Sequence, residues 1–513
     1  SSMPSLHSQA SRSAGACALL LIALLSSGSC SSIDEASSRH QDPVLRIGVG
    51  IGNSLKDSGV MNLTYLFYAE PLFNRELDGR LTPRLANSWA WEQGGHSLRI
   101  RLKPGVVLHD GTPMTAELVA GQLRSRVPEQ GKEAAWGFNF VTRISATDAD
   151  TVLIELSQPD MFLLTALSDL RIVHPTRSDV ATGPFSLVAR TPQVEATRFD
   201  RYHDGRSALA GIRIITYETH RSAWAALMRE EVDVVQEVNR ESVEFMENSS
   251  RIRNYSSLQP FYVPLVFNVA HPILGKVDVR RALVQAINPG EVLTRLMRGQ
   301  GRVAQGPIWP LHWAYEETVK QEFSPGAARA GLDRSGYPQP KPTRAGELRA
   351  RFRVRCLVNS EDPQDERIAL MVQRQLFDVG VHLEIELLPM DDLIGRIRDG
   401  NFETYMVRAN GSRTLERTYR FWRSPGPLNI ATQNSGYTGA DALLDQLRRS
   451  ISDDEVRAAV RALAARFHED APAAFIAWLE ITRAVDAKFD VGVTAGEDPF
   501  TNIWRWKLAG QPQ

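Results

Sequence analysis

The sequence predicts an α/β or α+β chain, and two observations predict it. Short runs that alternate apolar and polar residues, such as SLRIRL from Ser97 and TVLIEL from Thr151, read as half-buried strands. Between such runs lie segments with apolar residues at helical spacing, notably from Pro363 to Val379 and from Asp453 to His468. Strands and helices interleave from Val44 onward, with no internal repeat at solenoid spacing.

Taken in order, the chain begins with a targeting signal. Met3 follows two serines, and Arg12 precedes an apolar run from Ala14 to Leu25 that ends in Ser26-Ser27-Gly28-Ser29-Cys30. That order is a secretory signal peptide over residues 1–29, its apolar run too short for the ~20 residues of a membrane span. Gly28 and Ser29 before Cys30 resemble the lipobox of bacterial lipoproteins. Cys30 is therefore the expected lipidation site, residues 30–44 a polar flexible tether, and the body an envelope or periplasmic protein anchored to a membrane. The first strand starts at Val44. Thr115, after Pro113, caps one helix, Asp278 is the expected cap of another, and Gly380 stops the helix that starts at Pro363. Residues 299–349, rich in Gly, Pro and charge, form a long irregular excursion of the kind that binds, covers or links.

Composition narrows the function. In 513 residues, 59 Lys and Arg face 60 Asp and Glu, so no basic surplus points to a nucleic-acid partner. Three cysteines exclude a disulfide scaffold, and Cys356, in the run RFRVRCLV, reads as a buried structural thiol. Gly48, Gly50 and Gly52 follow a strand, but the third glycine falls one residue early for a dinucleotide fingerprint. His109-Asp110-Gly111 has the look of a catalytic pair, yet Asp-Gly followed by Pro113 marks a tight turn. The histidines lack metal-ligand spacing, and no nucleophile elbow or Walker sequence occurs. The expectation is a non-enzyme with no metal and no cofactor.

The run from Gly79 to Trp89 (GRLTPRLANSW) and the run from Arg99 to Glu117 (RIRLKPGVVLHDGTPMTAE) closely resemble the signature of family 5 extracytoplasmic solute-binding proteins of ABC importers, the oligopeptide, dipeptide and nickel type. Thr182-Gly183-Pro184-Phe185, Phe267-Asn268, the run from Val279 to Leu283 and Asp399-Gly400-Asn401-Phe402 follow in the family's order. The resemblance implies a two-lobed, class II-like periplasmic-binding-protein fold with the ligand cleft between the lobes. Lobe I would take residues 45–258 and 484–513, with an inserted subdomain at about 75–180, and lobe II would take 259–483. It also implies a monomeric receptor that captures a peptide or peptide-like solute and delivers it to permease subunits.

In peptide-binding relatives an aspartate pairs the peptide amine shortly after the strand that here starts at Thr404. This chain has instead Arg408, Asn410, Arg413, Glu416, Arg417, Arg420 and Arg423, which favour a carboxylate, phosphate or sugar-acid group. The expected ligand-binding residues are Arg408, Asn410 and Arg413, with Asn53 in the loop after the first strand and Tyr65, Tyr262, Trp309 and Trp422 as aromatic walls. Trp313 is a further aromatic of this kind. Alternatives are a non-peptide anionic or sugar-like solute, a sensory or chaperone-like lipoprotein, and a secreted hydrolase built on His109 and Asp110.

Overall fold

The computed structural model describes residues 42–50, 58–127, 135–246, 249–344, 349–426 and 432–510. The first glycine-rich loop, with Asn53, and the signal and tether with Cys30 lie outside the described residues.

A sheet of 12 strands runs through the molecule. Its two longest strands, Ile252–Phe267 and Ala473–Asp486, are neighbours at its centre. They pair antiparallel from Ile252 opposite Asp486 to Leu258 opposite Glu480, slip, and resume with Tyr262 opposite Trp478. Pro260 lies in the slip, where a residue without an N–H removes a ladder bond. Beyond Ala473–Asp486 the sheet continues through Val234–Val235, Val44–Gly50 and Gly211–Tyr217 to Val194–Arg198 and Phe185–Ala189. Beyond Ile252–Phe267 it continues through Thr404–Met406 and Phe352–Asn359 to Val381–Leu388. These two wings are the sheets of the two lobes.

Local chemistry explains the elements. Phe352–Asn359 and Val381–Leu388 are parallel, so a crossover must join them, and the helix Pro363–Asp378 supplies it. Asp362 caps that helix by accepting the Gln364 N–H at 2.8 Å, and Gly380 (φ 85°) turns the chain into the next strand. The helix Val277–Ala286 starts after Lys276, which corrects the expected Asp278 cap; Asp278 lies in the first turn, where the helix dipole favours a negative charge. The excursion 299–349 is mostly irregular but carries the helix Pro325–Arg334.

A separate four-stranded sheet, in the order Ala86–Glu92, Ser97–Leu102, Thr151–Leu156, Val141–Ala146, forms the inserted subdomain. A buried carboxylate ties it to the first lobe. Glu70 accepts from Arg84 Nε at 2.6 Å, Tyr202 Oη at 2.8 Å and His203 Nε2 at 2.9 Å. Burial alone would raise its pKa, but those donors hold it below the usual value.

The subdomain also meets the second lobe. Asp160, fully buried ahead of the helix Phe162–Asp169, accepts from Arg448 at 2.7 and 3.1 Å. The turn before Leu81–Pro83 meets it too, where the Leu77 carbonyl accepts from Trp309 Nε1 at 2.7 Å and the Asp78 carbonyl from the Trp313 N–H at 3.0 Å.

Candidate functional site

The strand expected from Thr404 is interrupted. Thr404–Met406 and Ala409–Asn410 both pair with Ile252–Phe267, while Val407 and Arg408 leave the ladder. The break lets Arg408 reach the start of the helix Pro363–Asp378, where its Nε donates to Asp365 at 3.0 Å and its Nη2 to Asp362 and Gln364. Asp365 lies behind it; burial pushes that carboxyl up while Arg408 opposes the rise. Asn410 accepts the Ser412 N–H at 2.9 Å, and Ser412 and Leu415 both take left-handed backbone. Gly411 is required there, because a Cβ would stand 2.4 Å from the Trp478 ring.

This tight segment launches the helix Glu416–Trp422. Glu416 is buried beneath it with Arg417 and Arg420 each 3.3 Å away, and burial raises its pKa against both. Between this helix, the interrupted strand and the helix Met390–Arg398 lies a cavity of about 750 Å³. The described residues that line it include four arginines, at 398, 408, 417 and 420, and no carboxylate.

Arg413 points elsewhere. Its guanidinium lies 5.9 Å from the centre of the Trp309 ring, and its carbonyl abuts Gly79 of the first lobe. Burial lowers its pKa, with Asp498 opposing and Arg75 adding to the effect. Among the described residues its side chain has no hydrogen-bond or ion-pair partner. Arg171 is alike: burial lowers its pKa, while Asp169 opposes and Arg75 adds to the fall. Its side chain is likewise without a hydrogen-bond or ion-pair partner among the described residues. Both arginines feel Arg75, so they flank the same part of the junction. Tyr65 is within electrostatic reach of Arg171 and stacks on Tyr68 at 5.5 Å. Sequence reasoning missed Arg171. Its only signal is an arginine in the apolar run LRIV, and nothing in that run says that its charge is left unmatched.

Three expected aromatic walls are corrected. Tyr262, Trp309 and Trp422 are fully buried and belong to one apolar cluster of the second lobe. Trp422 Nε1 donates to Tyr262 Oη at 2.8 Å, and Tyr262 packs on Trp478 at 4.8 Å. Satisfied polar atoms and full burial make them packing residues. Trp313 is only partly buried, between Arg80 at 4.0 Å and Arg457 at 4.9 Å from its ring centre. Arg423 binds Asp441 and Asp445 at 3.1 Å each.

His109 is also structural. Its Nε2 donates to the Gly183 carbonyl at 2.9 Å and its Nδ1 accepts from the Ala181 N–H at 3.3 Å, while Asp110 holds Arg177 and the Thr112 turn. No group of three metal-ligating side chains occurs, and no helix is long and apolar enough to cross a membrane, among the described residues.

A two-lobed α/β fold with arginines at the junction defines a class of solute receptor. Residues 80–427 match the bacterial extracellular solute-binding proteins, family 5 Middle, and the chain belongs to that family. It is a binding protein and not an enzyme. The probable D,D-dipeptide-binding periplasmic protein of Escherichia coli K12 is 25% identical over 391 residues, which cover 71% of this chain and 72% of that one. Among solved structures, NikZ from Campylobacter jejuni in complex with Ni(L-His) superposes with a TM-score of 0.74 at 18% identity, covering 91% of this chain and 100% of the other. The binding protein AgaA of A. tumefaciens R10 in complex with agropinic acid gives 0.69 at 19% identity, covering 91% and 100%.

Proposed function

We propose that the protein captures a peptide-like solute bearing a carboxylate between its lobes and delivers it to the permease subunits of an ABC importer. One observation carries the carboxylate: Arg171 and Arg413 are half-buried guanidinium groups at the junction, both desolvated and neither with a carboxylate at hydrogen-bond distance among the described residues. Arginine remains charged in proteins, so a desolvated and unmatched pair favours a bound anion that completes it. The dipeptide, oligopeptide and nickel names of the relatives support a small solute delivered across a membrane. The slip between Leu258 and Tyr262 supports a hinge about which the lobes, 45–258 with 484–513 and 259–483, close on it. Lipidation at Cys30 would tether a monomer beside its permease.

A second reading, a non-peptide organic acid, draws on the same arginines and on the agropinic acid bound by AgaA. The test is mass spectrometry of small molecules released from the purified protein, followed by thermal shifts with what is found. A ligand at 100 times its Kd adds about 2.7 kcal/mol. The expected result is stabilisation by acids that the Arg413→Ala variant loses. A folded protein stabilised by none of a panel of peptides and organic acids overturns the receptor reading.

A further inference from the structure

On the receptor reading given above the lobes turn about the slip between the two central strands, and a side-chain hydrogen bond crosses that slip. The ladder of Ile252–Phe267 and Ala473–Asp486 breaks unevenly there. Between Leu258 opposite Glu480 and Tyr262 opposite Trp478 stand residues 259–261 of one strand and only Leu479 of the other. At the break each strand also gains a neighbour from the second lobe. Phe261 and Tyr262 pair with Asn410 and Ala409, and the Pro260 carbonyl accepts the Gly411 N–H at 2.8 Å. Trp478 and Ala477 pair with Arg302 and Val303, at the start of the irregular excursion.

Glu480 stands on the boundary. Its backbone belongs to the ladder that ends at Leu258, on the first-lobe side, while its carboxylate accepts the Gly301 N–H of the second lobe at 2.9 Å. Gly301 takes left-handed backbone, φ 117°, and a Cβ there would stand 2.5 Å from the Trp478 carbonyl oxygen, so the excursion lies directly against the hinge strand. The tie on the other strand, Gly411 to Pro260, joins backbone to backbone. This one runs through a side chain, which suits a joint that moves. Adjacent strands lie about 4.8 Å apart, so a turn of about 15° about one of them carries its neighbour through about 1.3 Å. A backbone N–H···O bond holds over a window of about 0.5 Å and would break. A carboxylate on a flexible stem can follow the displacement.

We propose that Glu480 is a positioning residue of the hinge: Gly411 on Pro260 fixes one strand to the second lobe, Glu480 on Gly301 holds the other through the turn, and the two together confine the lobes to one axis. Without the carboxylate the strand Ala473–Asp486 is held only up to Trp478, and the lobes swing over a wider range of directions. A wider range in the open state has more entropy, which opposes closure.

Single-molecule energy transfer on the protein without solute tests this. Val188 and Leu387 are exposed on the strands Phe185–Ala189 and Val381–Leu388, at opposite ends of the large sheet. Val188→Cys and Leu387→Cys carry the dyes, with Cys17→Ser and Cys30→Ser to keep label off the leader and Cys356 buried. Glu480→Ala should widen the distribution of distances between the lobes, and the Gly301 amide should exchange with solvent at least about fivefold faster. Glu480 and Gly301 are both half-buried, so water replaces the lost bond and the melting temperature should stay within about 3 °C of the parent. Glu480→Gln keeps an acceptor oxygen at the same reach and should restore the parent's distribution. Glu480→Asp keeps the charge on a shorter stem and should widen it as alanine does, which decides the matter even where the alanine variant does not fold. An unchanged distribution in Glu480→Ala and Glu480→Asp overturns the inference, as does a glutamine variant as wide as they are. No solute enters this experiment, so either result leaves the receptor reading to its own test.

Discussion

Arg448 and Arg413 both come from the second lobe and both stand where it meets the first, but their surroundings differ in kind. Arg448 is 3% exposed at the side chain and closes on Asp160, itself 1% exposed, and on Asn139 at 2.9 Å. The rings of Trp136, Phe140 and Tyr419 lie 4.8, 4.8 and 5.3 Å from it, and its carbonyl accepts the Met161 N–H at 2.8 Å. Arg413 has the Trp309 ring but no carboxylate at hydrogen-bond distance among the described residues. A matched buried charge belongs to the architecture, and an unmatched one is available to a ligand. Counting arginines in the sequence cannot separate the two, because the matching groups come from distant segments such as Asp160.

The comparison can be broken in four ways. The largest effect is expected for Arg448→Met, which leaves Asp160 buried and unpaired, at a cost of about 3–5 kcal/mol in a denaturant melt. Replacing both partners, with Asp160→Asn added, should recover a good part of that loss. Arg413→Ala should do the reverse, leaving stability within about 0.5 kcal/mol. It should weaken solute binding by about 2 kcal/mol or more in titration calorimetry. A large stability loss there would put Arg413 in the same class as Arg448.

A third prediction concerns His312, which is buried beside Gly79 and Arg80 and accepts the Ala314 N–H at 3.1 Å. Burial, with Arg80 adding to it, pushes its pKa down to about 3. Between that value and the ordinary ~6.5 the unfolded chain binds the proton and the folded one does not. Stability therefore rises with pH across this window and is lost as pH falls through it, by up to about 1.4 kcal/mol per pH unit. His312→Gln should flatten that part of the urea-denaturation profile, and an unchanged slope would show that the ring is protonated in the folded state.

The smallest effect on binding is expected for Arg408, whose charge is already committed to Asp362 and Asp365. Arg408→Gln should cost about 1–3 kcal/mol of stability, because Asp365 is buried and loses its cation. It should change solute affinity less than Arg413→Ala does, read on the same two instruments.

The fold was legible where one face of an element is buried. The strands Ser97–Leu102 and Thr151–Leu156 alternate because their sheet has a covered side, and Asp362, Pro363 and Gly380 punctuate their helix by local chemistry alone. The site was less legible. Tyr262, Trp309 and Trp422 occur in the expected segments, but the apolar cluster that packs around them takes residues from segments as far apart as Phe162 of the inserted subdomain, Phe402 and Phe475. Periodicity there does not distinguish core from cleft. Arg408 was expected in the strand from Thr404 but lies in the break between Thr404–Met406 and Ala409–Asn410, and its partners lie 43 and 46 residues away in sequence. Arg171 gave only the weak signal of an arginine in an apolar run, since what marks it is a side chain with no hydrogen-bond or ion-pair partner among the described residues.

Cys356 lies in the strand Phe352–Asn359, fully buried, with its thiol pushed up to about 12 by burial. It is the one free thiol among the described residues. A thiolate is the reactive form, so this sulfur is chemically silent in the folded receptor. A protein lacking residues 1–41 is therefore already a blank background for labelling. One cysteine added on each lobe would carry a donor and an acceptor dye, and the two lobes could be watched closing on a solute one molecule at a time. The native sulfur would take up label only when the second lobe's core comes apart, which makes it a built-in alarm for unfolding.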